Sequence, residues 1–270
     1  MSSILERIFA AKRLELESNR RQVALESMVA RAAQAPPPRP FVDALRAARP
    51  AIIAEIKRAS PSKGDILPNL DPVAVATDYL AAGAAAISVL TDSHFKGSLA
   101  DLEAVRAAVE LPLLRKDFIF DPYQVYEARA AGADCILLIA AMLGDGELRS
   151  LGALAHQLKM AALVEVHSEI ELRRAEAAGA VLIGINNRDL HSFKTDIAVT
   201  ETLLADYRGG ALIVSESGIE SAADVRRLYR AGARAFLVGE SLLRGGEPRS
   251  KLGELVHALD AGADRARYQG

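Results

Sequence analysis

The chain has 270 residues, half of them hydrophobic and a quarter charged, which is the balance of a globular protein with a sizeable core and not of a disordered chain. Its 33 basic and 35 acidic residues are interspersed and leave a formal charge of -2, so no global field favours nucleic acid or an anionic membrane as a partner. The single cysteine, Cys135, excludes an intrachain disulfide and a Cys-based zinc cluster, and it points to a reducing compartment, the cytoplasm.

At the start of the chain, Ser3 and Glu6 have capping-box spacing, and Ile4, Leu5, Ile8, Phe9, Leu14 and Leu16 recur at helical intervals. Residues 3 to about 32 are therefore expected to form a helical extension. Charges spread through it do not fit an export signal. The prolines of "APPPRP" at 35–40 cannot continue a helix and read as a linker, followed by a short helix through "FVDALRAA". The amphipathic pattern fits a cover over a barrel mouth as well as a plug beneath it. The longest weakly polar run, "YLAAGAAAISVL" at 79–90, falls short of the ~20 apolar residues that span a bilayer.

Beyond residue 50 a repeat sets in: "AAGAAAISVLTD", "AAGADCILLIA", "AAGAVLIGINNRD" and "RAGARAFLVGE". Each is expected to end a helix at glycine and begin a strand. The glycines, Gly83, Gly132, Gly179 and Gly232, are 49, 47 and 53 residues apart, room for two strand-plus-helix units each. The strands between them read as "AIIAEI", "LPLLRK", "AALVEV" and "ALIVSE". Eight short apolar runs alternating with amphipathic helices predict a (β/α)8 TIM barrel of the α/β class. The expected organisation is residues 1–48 as a helical extension of the same domain and 49–270 as the barrel. A doubly wound open sheet is the alternative, but the glycine-rich turn after its first strand is missing.

In such a barrel the C-terminal strand ends carry the active site, and there the sequence places its unusual residues. Glu55 and Lys57, Lys116 and Phe118, Glu165 and His167, Asn186 and Arg188 each occupy positions i and i+2 of a strand end and so share a face. Burying unpaired charges is costly; these residues therefore form either a belt of rim ion pairs or a catalytic set. "SESGI" at 215–219 and "VGESLL" at 238–243 place Gly beside Ser where the last two strands turn into helices, a setting for phosphate binding by backbone N–H groups. Ordinary helix capping by Ser217 or Ser241 is the competing reading. The five histidines show no pair at metal-ligand spacing, so no metal is expected. Arg173, Arg174, Arg226 and Arg227 read as solvated helix faces.

Taken together, "AEIKRASPSKG", "LLRKDFIFDPYQVYEARAAGAD", "LVEVHS", "IGINNRDL", "SESGI" and "LVGESLL" closely resemble indole-3-glycerol phosphate synthase over residues 41 to 245. The resemblance implies ring closure of 1-(2-carboxyphenylamino)-1-deoxyribulose 5-phosphate, with loss of carbon dioxide and water, without metal or organic cofactor. It implies Lys116 as the acid for attack on the carbonyl and Glu165 as its charge-balancing partner. Glu55 and Lys57 become a second acid/base pair, and Asn186 completes the catalytic group. Ser60, Phe95, Phe118, Arg188, Glu216, Ser217 and Leu237 are implied in substrate binding, and Gly218, Glu240, Gly239 and Ser241 in the phosphate cradle. The implied partner is a small phosphorylated molecule, and the chain is expected to be a monomer or weak homo-oligomer.

One departure stands out. "TDSHFKGS" after the second strand is one residue shorter than in many relatives and carries Phe95 alone, with His94 a candidate to fill the gap. Two other functions fit parts of the pattern: a Schiff-base aldolase using Lys116 or Lys57, and a silent phosphate-ligand binder that retained the barrel.

Overall fold

The computed structural model describes residues 4–60, 64–189, 192–244 and 246–260. Its centre is a closed parallel barrel of eight strands: β1 (Ala51–Ile56), β2 (Ala86–Leu90), β3 (Leu113–Lys116), β4 (Cys135–Ile139), β5 (Ala161–Val166), β6 (Leu182–Asn186), β7 (Leu212–Glu216) and β8 (Ala235–Val238). Pairing of Ala51 with Ala235 and of Ile53 with Ala86 joins β1 to both β8 and β2 and closes the ring. Short β-rich runs buried on both faces form these strands because helices cover the outside. The outer ring is α4 (Pro72–Ala81), α5 (Leu99–Ala108), α6 (Pro122–Ala130), α7 (Asp145–Gln157), α8 (Glu169–Ala177), α9 (Ala198–Ala205), α10 (Ala222–Ala231) and, past a single turn α11 (Glu240–Leu243), α12 (Pro248–Val256).

The repeat glycines do what their spacing predicts. Gly83, Gly132, Gly179 and Gly232 have φ of +87°, +88°, +82° and +122°, left-handed conformations that glycine adopts without steric cost where a helix must stop and turn into a strand. At the opposite helix ends, Asp71, Ser98, Asp121, Ser168 and Ser221 accept hydrogen bonds from backbone N–H groups of the first turn. Ser221, not Ser217, therefore caps α10.

Alternation along the strands divides the core. Ile53, Ala86, Leu114, Leu137, Leu163, Leu182, Val214 and Leu237 fill the lumen, whereas Ile52, Ile87, Leu113, Ile136, Val164, Ile183, Ile213 and Phe236 pack outward against the helices.

The extension takes both roles that its pattern allowed. α3 (Phe41–Ala47) buries Phe41 and Leu45 in the lumen cluster beside Ala51 and Ala235, at the N-terminal ends of the strands. At the other end, α1 (Ile4–Gln22) brings Ile8 into the wall of the mouth. The helical extension expected over residues 3 to about 32 is made of two helices, α1 and α2 (Leu25–Gln34), because Ala24 is extended (φ -61°, ψ 154°). The Tyr123 hydroxyl lies 3.2 and 3.1 Å from the carbonyl oxygens of Asn19 and Val23 where α1 ends, a tertiary contact that helical periodicity does not encode. Ser3, the cap proposed for α1, lies outside the described residues. Among the described residues no helix is long and apolar enough to cross a membrane.

Candidate active site

The C-terminal strand ends enclose a cavity of about 250 Å³. Inward-facing positions of five strands supply its polar floor, since closing the barrel turns each i, i+2 pair toward one axis. Lys116, last residue of β3, is the centre: its Nζ lies 2.7 Å from Glu165 Oε2 on β5 and 3.1 Å from Glu216 Oε2 on β7. Asn186 on β6 donates to the other Glu165 oxygen at 3.2 Å, and its own Oδ1 accepts from the backbone N–H of Arg188 at 3.0 Å. On β1, Glu55 Oε1 is 2.7 Å from Lys57 Nζ. The charged pair on one face of an apolar strand is thus an ion pair inside the mouth.

Burial works against the ammonium of Lys116, but the carboxylates of Glu165, Glu216 and Glu55 outweigh it and raise its pKa far above the usual lysine value. Burial likewise opposes ionisation of Glu165, and here Lys116 and His167 win and hold the carboxyl well below its ordinary range. Glu216 goes the other way. Burial, with Glu165 and Glu55 close by, pushes it up to about 7 against the pull of Lys116. Two carboxylates share one lysine; the one with the fuller set of donors keeps its charge. Glu216 Oε1 is buried without a hydrogen bond and fills the space over Gly184, where a Cβ would stand 2.0 Å from it.

Around this floor the cavity is walled by Phe118, Leu237 and Phe95, with Phe95 and Phe118 ring centroids 6.4 Å apart. His94 does not fill the gap expected in the short loop: its ring turns to Asp92, Nδ1 to Oδ1 2.9 Å, and it is not part of the cavity wall. Ser60 ends a two-residue strand begun at Ala59 that pairs with Gly64–Asp65; its side chain, like Pro61 to Lys63, lies outside the described residues, as do Leu190 and His191.

The two glycine loops meet on the far side of the mouth. Ser217 and Gly218, both lining the cavity, have φ of +66° and +77°, left-handed conformations that turn the chain sharply after β7. Gly239, Glu240 and Ser241 form the first turn of α11, whose opening N–H groups have no partner within the helix. Ser241 Oγ is not a cap, since it donates to Ile219 O at 2.8 Å and ties the loops together. The Glu240 side chain pairs with Arg188, 3.6 Å away, and with Arg244, all three at the cavity wall.

Several residues of the site escaped the sequence reading. Asp92, Asp117, Phe193 and Thr195 line the cavity, as does Ile8. Lys12 on α1 is 1% exposed, its Nζ 2.8 Å from Asp117 Oδ1 and 3.1 Å from Asp92 Oδ2. Ile8, Lys12 and Leu16 lie at i, i+4 and i+8, all buried, and a lysine within an apolar stripe was the available signal. Arg115, beside Lys116, points outward and is fully buried between Asp117 (3.1 Å) and Glu127 (2.9 Å). Arg174 is not a solvated helix residue; it donates to the carbonyls of Ala140 and Leu143 and clamps the loop after β4. Arg226 is half-buried and donates to Ala258 O. Arg173 and Arg227 are exposed, as expected.

A family model described as indole-3-glycerol phosphate synthase matches residues 5–255. The chain belongs to the indole-3-glycerol phosphate synthase family. It is 54% identical over 265 residues to an indole-3-glycerol phosphate synthase from a Roseiflexus species, covering 94% of this chain and 98% of that one. To the protein of the same name from Acidithiobacillus ferrooxidans it is 51% identical over 260 residues, with 94% and 99% covered. Among solved structures it superposes on 3-hexulose-6-phosphate synthase with a TM-score of 0.62 and 17% identity, over 77% of this chain and 99% of that one. An N-acetylmannosamine-6-phosphate 2-epimerase from Clostridium perfringens gives 0.59 and 15%, over 75% and 91%. At such identities the superpositions speak for the barrel alone, whereas the indole-3-glycerol phosphate synthase relatives match nearly the full length.

Proposed function

We propose that Lys116, Glu165, Glu55, Lys57 and Asn186 carry the indole-3-glycerol phosphate synthase reaction in this chain. The enzyme is a carboxy-lyase of tryptophan biosynthesis acting on 1-(2-carboxyphenylamino)-1-deoxyribulose 5-phosphate. The observation that carries the assignment is the Lys116 ammonium held between Glu165 and Glu216, 2.7 and 3.1 Å away, opposite the two glycine loops in one mouth.

The phosphate is taken by backbone N–H groups of Gly218, Gly239, Glu240 and Ser241, a cradle that costs no side-chain ordering. Phe118, Leu237 and Phe95 hold the aromatic ring, and Arg188, Ser217 and Glu216 bind polar atoms of the substrate, with Ser60 beside them. Ring closure begins when the aromatic carbon bearing the carboxylate attacks the ketone. Lys116, fully protonated, donates to the oxygen on which negative charge develops. The anilinic nitrogen becomes iminium in the same step, and the Glu165 carboxylate balances it. Carbon dioxide then leaves and restores the aromatic ring. Glu55 and Lys57 act in dehydration, one accepting a proton from carbon and the other giving one to the departing hydroxyl. Loss of a carboxylate as neutral carbon dioxide means that one proton is taken from water in each turnover.

A Schiff-base aldolase reading needs a neutral amine, and three surrounding carboxylates hold Lys116 in the opposite state. The cytoplasm is the proposed compartment. Activity is tested by indole emission on addition of substrate, against a chain that contains no Trp. The folded wild type is expected to produce it and Lys116→Ala to lose it. A folded wild type that binds substrate without product formation would favour the silent binder.

A further inference from the structure

The proton consumed in each turnover has to reach groups at the floor of a mouth that bound substrate fills. A second way in is therefore of use, and His167 lies on one. It directly follows β5, and its side chain is 13% exposed. Its Nε2 is 3.4 Å from Glu165 Oε1, the oxygen that accepts from Asn186, and is buried with no hydrogen bond of its own. Its Nδ1 is 3.4 Å from Glu171 Oε2, which also accepts from the backbone N–H of His167 at 2.8 Å. Glu171, in the first turn of α8, is half-buried and reaches solvent. A line of acid and base groups, each within 3.4 Å of the next, thus runs from Lys116 through Glu165 and His167 to Glu171 at the surface.

The surroundings keep this imidazole ready to carry charge. Burial opposes protonation, but Glu171 on α8, Glu165 on β5 and Glu216 on β7 together raise the pKa of His167. Glu171 in turn is depressed by His167 and Arg174 against its own burial. A histidine between an outer and an inner carboxylate suits proton transfer near neutral pH.

We propose that His167, with Glu171, relays protons from solvent to Glu165 and so resets the acid of the reaction. The inference rests on the roles proposed above for Lys116 and Glu165. The ring takes up a proton at Nδ1 on the Glu171 side and becomes imidazolium. It then gives the Nε2 proton to Glu165 and is neutral again with its hydrogen on Nδ1; the first tautomer returns when Nδ1 gives that proton back to solvent through Glu171 and Nε2 takes one from water as the ring swings outward. Glu165 receives the proton on Oε1, turns its carboxyl to bring that oxygen to the Lys116 side, and passes the proton on once the lysine has given its own to the substrate. One proton enters from water and one is retained in the products, with no other bond changed. His167 touches no reacting atom in this scheme and acts only through Glu165.

The alternative is that His167 simply fastens the turn between β5 and α8. The two are separated by His167→Gln, assayed for kcat and KM with and without millimolar imidazole. The relay predicts kcat reduced at least about tenfold, KM within about twofold of wild type, and partial rescue by imidazole but not by an equal concentration of sodium chloride. A kcat within about twofold of wild type, or a loss that imidazole does not lift, overturns it. Glu171→Gln keeps the acceptor for the His167 backbone and serves if the first variant does not fold. It is expected to shift the alkaline fall of kcat to lower pH, because the imidazolium loses a carboxylate; a profile superimposable on wild type overturns the relay. Absence of activity in the wild type would defeat the proposed function itself, whereas the relay fails only when wild type turns over and these variants behave like it.

Discussion

Replacing Lys12 by Met asks whether the extension is fastened to the active-site mouth by charge. Lys12 is 1% exposed and lies against two carboxylates that are equally hidden, Asp117 at 2.8 Å and Asp92 at 3.1 Å. Burial disfavours the charge on Lys12, but Asp117 above all, then Asp92 and Glu15, outweigh it and leave its pKa raised. For Asp117, burial opposes ionisation, yet Arg115 and Lys12, helped by hydrogen bonds from Lys12 and Thr91, bring it down to about 2. Against an ordinary value of 3.8, that shift corresponds to roughly 2–3 kcal/mol of stability at neutral pH, shared among these partners. Methionine fills the volume but removes the cation. Asp117 keeps Arg115 and Thr91, whereas Asp92 Oδ2 has no hydrogen-bond donor to fall back on. Breaking a buried pair from one side costs about 3–5 kcal/mol, so Tm at pH 7 should fall by about 10 °C.

The pH dependence follows from the sign of the shift. The folded value of Asp117 lies below the unfolded one, so its contribution is complete above about pH 5 and is lost as pH falls from about 4 toward 2. The gap in Tm between wild type and Lys12→Met, read by scanning calorimetry, should therefore narrow below pH 4. Adding Asp92→Asn to Lys12→Met should recover part of the loss, since an amide carries no charge to bury. A Tm within about 2 °C of wild type at pH 7, or the same gap at pH 3 as at pH 7, would refute the account and leave α1 resting on the mouth by apolar contact alone.

Lys116→Met should lower kcat by about 10²–10⁴ in protein that is still folded, with Tm reduced because Glu165 loses its cation; a kcat that falls only in proportion to the folded fraction, in far-UV dichroism and turnover, would speak against a catalytic lysine. Gly184→Ala sets a Cβ 2.0 Å from Glu216 Oε1, so the carboxylate must leave Lys116, and steady-state kinetics should show a fall in kcat; wild-type rates would mean that Glu216 is dispensable. Glu216 is pushed up to about 7, so the folded state binds a proton that the unfolded state releases, and stability falls as pH rises from about 4.5 to 7. Glu216→Gln should thus gain up to roughly 3 kcal/mol over wild type at pH 8 and nothing at pH 4, measured by urea unfolding. Gly218→Ala strains a φ of +77° and brings a Cβ to 2.6 Å from Thr195 Cγ2; KM should rise more than kcat falls, and inorganic phosphate should inhibit less well than in the wild type.

Much of this was legible because barrel strands obey two periodicities at once. The recurring glycines marked the helix-to-strand turns, and the i, i+2 positions of Glu55 and Lys57, or of Asn186 and Arg188, announced a shared face. Capping stayed open as the competing reading at Ser217 and Ser241 because either serine has the right neighbours in sequence, and only the chain path shows that Ser221 caps α10 and that Ser241 donates to the Ile219 carbonyl. The arginines of α8 and α10 were misread in part for a related reason: a helical pattern marks which side is polar, not whether a loop lies across it.

By itself the sequence determined the strand–helix alternation, the lumen positions, the charged strand ends and the family, since each depends on residue type at short, fixed spacing. Tertiary structure alone decided which charges meet. Lys116 finds Glu165 and Glu216, 49 and 100 residues away, and Lys12 finds Asp92 and Asp117, only after the barrel closes and α1 folds over its rim. Those pairings, with the desolvation that makes them strong, push the pKa values of Glu165 and Glu216 in opposite directions. Two glutamates alike in sequence thereby come to differ in chemistry.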